Sequence, residues 1–418
     1  MDGWCETTLG EVCDQVGGII QTGPFGSQLH ESDYSTEGIP VVMPKNIIEG
    51  RIATESVARV SPEHVERLSR HKLRSGDIVY GRRGDIGRQA LIRPEQDGWM
   101  CGTGCLRLSF GESVLNPLYL HYYLRQDDVV SWITNQAVGA TMPNLNTGIL
   151  RTVPVRFPPL PVQRRIAGIL SAYDELVENN QRRIKILEEM ARSLYREWFV
   201  NFRYPGHEKV PLVDSPLGPI PKGWEVGTLG EFVEFKSGFA FKSGTFFPNG
   251  EHRLVTIKNV QDGSFNPESD SRMNDVPEKL PPHCVLQDGD ILLSLTGNVG
   301  RVCLVYNGPF LLNQRVAKLV PTNGTDWALT YCIFRDPEMR IKLEQLSNGV
   351  AQQNLSPVLA SKIEFGRPTP DLRERFAALA EPMVRRVLHL YSAISNLRRT
   401  RDLLLPRLLS GSVHLEGY

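Results

Sequence analysis

Two stretches of the chain place apolar residues at alternating steps of four and three. The first runs Ile166, Leu170, Tyr173, Val177, Ile184, Leu187, Ala191, Leu194 and Trp198. Displaced by 210 residues, the second runs Phe376, Ala380, Met383, Val387, Leu390, Ile394, Leu397, Arg401, Leu404 and Leu408. That is the seam of a coiled coil, and it predicts two long helices. Asn180 fills the one gap in the first seam and aligns with Leu390. Pro158, Pro159 and Pro161, and Pro368 and Pro370, stop the preceding segment and open each helix. The first helix is expected from Pro161 to about Phe199, roughly 55 Å at 1.5 Å per residue. Outside the helices the pattern is short β-branched runs between glycines and prolines, such as Ile39 to Met43 and Asp290 to Leu293. These predict strands and long loops, with a few helices such as one near Leu118 to Arg125.

The displacement is a property of the whole chain. Trp4, Thr8, Leu9, Gly10 and Glu11 recur as Trp224, Thr228, Leu229, Gly230 and Glu231. Lys45-Asn46 recurs as Lys258-Asn259, Gly76-Asp77-Ile78 as Gly289-Asp290-Ile291, and Gly84-x2-Gly87-Arg88 as Gly297-x2-Gly300-Arg301. Gly139-x4-Asn144-Leu145 matches Gly349-x4-Asn354-Leu355. The order of matches identifies a tandem duplication, too long per unit for a solenoid. The expected fold class is α+β, a mixed α/β domain followed by a long helix, twice over. The expected bounds are a first globular domain over 1–158, a central helix over 159–204, a proline-rich connector over 205–222, a second globular domain over 223–367 and a C-terminal helix over 368–413. If the first helix ends beside the second domain, the second helix starts there and runs back. An antiparallel coiled coil with a domain at each end, a pseudo-two-fold dumbbell, is the expected arrangement.

Composition narrows the function. Lys plus Arg and Asp plus Glu both total 47, so bulk charge gives no attraction to nucleic acid or anionic membrane. Any such partner must be held by local patches. No run of 18 apolar residues occurs, so no membrane partner is expected, and neither is a signal peptide, since the start is acidic. The 7 cysteines lack paired spacing and read as reduced thiols of a cytoplasmic chain.

Catalytic signatures are missing. There is no P-loop, no GxSxG elbow and no dinucleotide GxGxxG after a strand. Phe157-Pro158-Pro159-Leu160 lacks the amide or carboxylate with which amino-methyltransferases hold a base amino group, and Glu234-Phe235-Lys236 lacks the Pro-Asp of a nuclease triplet. Cys101-x3-Cys105 has no second pair for a metal, and the 9 histidines form no HxxxH pair. The expectation is a chain with no catalytic residue, no metal and no cofactor of its own.

What remains is binding by polar loops. Arg82, Arg83 and Arg88 lie in a glycine-rich loop after a strand, opposite Thr296, Asn298 and Arg301 in the repeat. The matched glycines read as shared turns, and the side chains between them are candidates for base edges or phosphates. Arg82-Arg83 facing Leu295-Thr296 suits one fold with two targets, since Arg matches guanine and Asn or Gln matches adenine. Further DNA-binding candidates are Gln21, Ser27 and Gln28, with Lys236 and Lys242 as their partial counterparts. Lys45-Asn46 and Lys258-Asn259, Thr141, and Gln352-Gln353 complete the set. For any single one of them, solvated surface is the plainer reading.

Several segments together resemble the specificity subunit of type I restriction–modification enzymes, over essentially the whole chain. They are Trp4 to Glu11, Thr22-Gly23-Pro24-Phe25-Gly26-Ser27, and Pro158-Pro159-Leu160-Pro161-x-Gln163-x2-Ile166-Ala167. Leu217-Gly218-Pro219-Ile220-Pro221-Lys222-Gly223-Trp224 and Leu403 to Gly411 are also similar. The resemblance implies two target-recognition domains, each reading half of a split sequence in double-stranded DNA, with helices setting the spacing. It implies two modification subunits, which bind S-adenosylmethionine and methylate adenine, and restriction subunits that join them to cut DNA. One departure is the second helix start, Pro368-Thr369-Pro370-Asp371-Leu372-Arg373, which lacks the first's Pro-Leu-Pro-x-Gln form. The rival readings are an enzyme acting alone, against which stand the missing motifs, and a non-DNA structural adaptor of the same architecture, which the neutral charge allows.

Overall fold

The computed structural model describes residues 3–84, 86–137, 144–242, 244, 246–268, 271–347 and 353–413. The chain divides into two units, Met1–Glu175 with Leu397–Tyr418, and Leu176–Asn396. In the first, strand Cys5–Thr8 pairs antiparallel with Pro154–Phe157, which joins the start of the globular part to its last strand before the long helix. The Thr-Leu-Gly-Glu that follows is a reciprocal helix cap in this copy, whereas Thr228 in the second copy makes no side-chain cap bond. The Thr8 hydroxyl accepts from the Glu11 amide at 3.3 Å, and the Glu11 carboxylate accepts from the Thr8 amide at 3.1 Å. Gly10 is fixed by space, because a Cβ there would lie 2.8 Å from the Arg151 carbonyl oxygen, and Gly230 faces Ser361 in the same way at 3.0 Å.

The main sheet of the first unit has the order Ile19–Thr22, Cys105–Ser109, Ile78–Gly81, Gln89–Leu91, all antiparallel. A smaller sheet sets Ile39–Val42 between Ala58–Val60, antiparallel, and Met100–Cys101, parallel. The second unit repeats this. Glu225–Thr228 pairs with Glu364–Arg367, and the main sheet runs Val233–Ser237, Val316–Pro321, Ile291–Ser294, Val302–Leu304, again all antiparallel. His252–Val255 pairs parallel with Phe310–Leu312, as Ile39–Val42 does with Met100–Cys101. The repeated Gly-Asp-Ile is explained by an ion pair under each main sheet, Arg107 to Asp77 at 2.6 Å and Lys318 to Asp290 at 2.8 Å.

The α+β class is as expected, with the long helices at Leu160–Tyr195 and Pro370–Leu409. The first continues into a wider π turn over Arg196–Val200. Every seam position named above is buried or half-buried. Within the first unit, Ile166 and Leu170 share a core with Leu404 and Leu408, and Asp174 pairs with Arg401. Within the second, Ala191, Leu194 and Trp198 share one with Phe376, Ala380 and Val384. In each unit, residue numbers rise along one helix as they fall along the other, so the helices are antiparallel. The segment between them is not bare linker. Leu212–Val213 pairs with Ile220–Pro221, and Phe199, Phe202, Tyr204 and Trp224 pack rings together, Phe202 and Trp224 edge to face at 5.2 Å.

Candidate nucleic-acid interface

In each unit the first and third strands of the main sheet end, and the long second strand begins, at one edge. In the first unit the register sets Thr22 and Tyr80 on either side of Leu106, with Gly81 opposite Cys105. Four segments meet there. Gly23 passes so close to Gly102 that a Cβ would collide with its carbonyl. The turn Pro44–Asn46 packs on Gly81 and Gly104. The glycine-rich loop begins at Arg82, whose amide donates to the Gly104 carbonyl at 2.8 Å. Asn144 bridges to Arg83, and the Leu145 amide donates to the Arg82 carbonyl at 2.9 Å.

The second unit makes the same contacts with other residues. Gly238 lies under the Asn313 carbonyl, and the Leu295 amide donates to the Arg315 carbonyl at 3.0 Å. Thr296 bridges to Asn354, and the Leu355 amide donates to the Leu295 carbonyl at 2.8 Å. The duplication therefore extends to individual hydrogen bonds at this edge, while the side chains differ.

Several expected residues reach the edge with exposed side chains. Ser27, Lys45, Arg83 and Arg88 do so in the first unit, and Lys258, Asn298 and Gln353 in the second. Arg82 is half-buried and its Nε donates to Asn144 Oδ1 at 3.0 Å. Thr296 is half-buried beside it in the repeat. Lys242 is exposed, and Gln28 is half-buried, accepting from the Phe25 amide at 3.1 Å. Thr141 and Gln352 lie outside the described residues.

Five of the expected residues are engaged in holding the scaffold. Asn46 is 1% exposed and accepts from the Met43 amide at 3.0 Å. Asn259, 2% exposed, accepts from the Thr256 amide at 2.8 Å and donates to the carbonyls of Asn266 at 3.0 Å and Glu268 at 2.9 Å. Buried and satisfied, these two do not reach a ligand, which corrects the expectation for both. Gln21 and Lys236 sit within the first strand of their sheets, and their side chains go to the Arg70 carbonyl and to Glu234. Arg301 turns inward to Gln261. Sequence reasoning missed the segment at the start of the second strand, Gly102 to Gly104 and Asn313 to Arg315. Its residues share no identity between repeats, so only strand register aligns them.

Beneath the first edge, Cys101 and Cys105 lie in a small apolar cluster with Val42 and Val79. Burial pushes the Cys101 thiol up to about 12, and Cys105 upward as well, so both are protonated, packed side chains at neutral pH. Burial likewise holds His121 down at about 3, neutral against Gln89 at 3.0 Å. What the edge offers is an array of donors on a rigid frame. No helix among the described residues is long and apolar enough to cross a membrane.

The chain is similar to known proteins in sequence and in fold. A family model, the type I restriction modification DNA specificity domain, matches residues 1–189 and 221–361. The type I restriction enzyme MjaIX specificity subunit of Methanocaldococcus jannaschii is 24% identical over 393 residues, which are 92% of this chain and 89% of that protein. The HindI specificity subunit of Haemophilus influenzae is 21% identical over 403 residues, 82% and 87% of the two chains. In fold, the chain is similar to a crystal structure of the type I restriction–modification S subunit from M. genitalium. There the TM-score is 0.59 and the identity 19%, with 97% of this chain and 96% of that one covered.

Proposed function

This chain belongs to the type I restriction–modification DNA specificity family, and from that premise we propose that it reads a split, asymmetric DNA target, one half-site per globular domain. The observation that carries the reading is the repeated sheet edge, alike in backbone bonding and different in its tips. Arg82-Arg83 stands in one copy where Leu295-Thr296 stands in the other. One frame with two sets of donors gives two half-sites of different sequence. The domains divide at 1–158, 159–204, 205–222, 223–367 and 368–413 in this reading, and the long helices set the distance between readers. The first, at 36 residues, is ~54 Å long, the span of about 16 base pairs. The chain is a non-catalytic scaffold acting in the cytoplasm. Two modification subunits supply S-adenosylmethionine and methylate adenine, and restriction subunits join that core.

The test is methylome sequencing of a host lacking such systems, expressing this chain with a modification subunit of its own system. Adenine methylation at one split, asymmetric motif is the expected result. An assembled complex that leaves the genome unmethylated would overturn the reading in favour of a non-DNA adaptor.

A further inference from the structure

We propose that the second domain reads purine bases through a pocket at its sheet edge, where Gln314, Arg315 and Asn354 surround the Thr296 hydroxyl. This rests on the DNA-reading function proposed above and names the reading residues of one half-site. The four residues line a concave space of about 340 Å³. The Thr296 Oγ1 is buried within it and has no hydrogen-bond partner. A buried hydroxyl of that kind takes its partner from the space beside it, a water in the free protein and a polar ligand group when one is bound.

The backbone under the pocket is fixed. The Gln314 amide donates to the Phe239 carbonyl at 3.0 Å, the Arg315 amide to Asn313 Oδ1 at 3.3 Å, and the Arg315 carbonyl accepts from Leu295. Asn354 is held by its bridge to Thr296. All three side chains are exposed, and none makes a side-chain hydrogen bond or ion pair among the described residues. With no partner in the protein these donors are available to a ligand, at a cost of about 0.5–1.5 kcal/mol in rotamer freedom for each side chain that becomes ordered.

Their chemistry selects the ligand. A guanidinium forks onto O6 and N7 of guanine, and a carboxamide pairs with N6 and N7 of adenine. Arg315 therefore reads a guanine, and Gln314 with Asn354 an adjacent adenine. The first unit cannot use this device. Gly104 stands in the place of Arg315, and the Asn144 side-chain Oδ1 already accepts from Arg82 Nε. There the guanidinium comes from the glycine-rich loop instead, which is why two copies of one edge read different sequences.

Methylomes of assembled complexes carrying Arg315→Ala, Gln314→Ala and Arg315→Lys test this. Arg315→Ala is expected to lower discrimination at one guanine position of a single half-site by about ten- to a hundredfold. The other half and the gap stay as in the wild type. Gln314→Ala relaxes an adenine position of that same half. Arg315→Lys keeps the charge without the fork and relaxes the guanine position too. If Arg315→Ala abolishes methylation, its assembled complex is titrated with oligonucleotides carrying each base in turn. An equal loss on all of them, restored by lysine, marks a phosphate contact and overturns the proposal. So does an unchanged motif in the alanine variants. A wild-type complex with no split motif is a separate failure, which removes the DNA-reading function itself.

Discussion

Lys45-Asn46 and Lys258-Asn259 are adjacent pairs in which neighbouring residues have opposite fates. Each asparagine faces inward and closes a turn, while each lysine is exposed. Asn259→Ala should lower the stability of the second unit by about 1–3 kcal/mol, since Thr256, Asn266 and Glu268 lose a buried partner. Lys258→Ala should leave unfolding unchanged and weaken DNA binding evenly across sequences, reducing the salt slope by about 1. Urea titrations and gel shifts at several salt concentrations separate the two. Sequence reasoning grouped the four residues because a polar residue in a matched loop looks alike whether it holds the turn or the ligand. His121 is another such case. Unfolded, it titrates near 6.5, whereas burial first, and then the Arg125 charge, holds it at about 3 when folded. Between those values the unfolded chain binds the extra proton, so stability falls as pH drops below about 6.5. At pH 5 the loss is about 2 kcal/mol. His121→Gln should flatten this acid limb in thermal unfolding, and an unaltered limb would place the proton elsewhere.

Among the elements, the long helices were the most legible, because nearly five heptads of apolar residues admit one period. Their starts were less so. Gln163, fully buried, accepts from the Asn116 amide at 2.8 Å and donates to the carbonyls of Val114 at 3.1 Å and Pro158 at 2.8 Å, fastening the first helix to its domain. In the second helix the matching position is Arg373, and the residue matching Asn116 is Asp326. These two form an ion pair, with Asp326 1% exposed. Where Gln163 takes the backbone amide of Asn116, Arg373 takes the side chain of Asp326, a change visible only once both positions are seen together. Burial pushes the Asp326 carboxyl upward against the pull of Arg373. Arg373→Gln, leaving that carboxylate buried without its cation, should cost about 3–5 kcal/mol. Adding Asp326→Asn should recover most of it, since it removes the buried charge that the single variant leaves without a cation. Equal losses in the single and double variants, measured by urea unfolding, would show that the two positions are not coupled.

At the scale of the whole molecule, what duplication preserves and what it frees belong to different parts. Main-sheet strand order, the ion pair under each main sheet and the helix seam repeat, and a matched sequence revealed them because packing tolerates few alternatives. The edge tips repeat in place but not in kind, as expected if, in the function proposed above, each set faces a different half-site. No rule of spacing could then find Gln314 or Arg315. The same division predicts how the target changes when the frame is altered. Seven residues inserted into each helix, beside Asn180 in one and Leu390 in the other, keep the seam in phase and add ~10.5 Å to its length. The methylated motif should then keep both half-sites and gain about three base pairs of gap, at ~3.4 Å each. Insertion of seven into one helix alone breaks the match between the two seams and should cost assembly instead. A gap that stays constant in the doubly extended protein would mean that something other than helix length sets the distance between the readers.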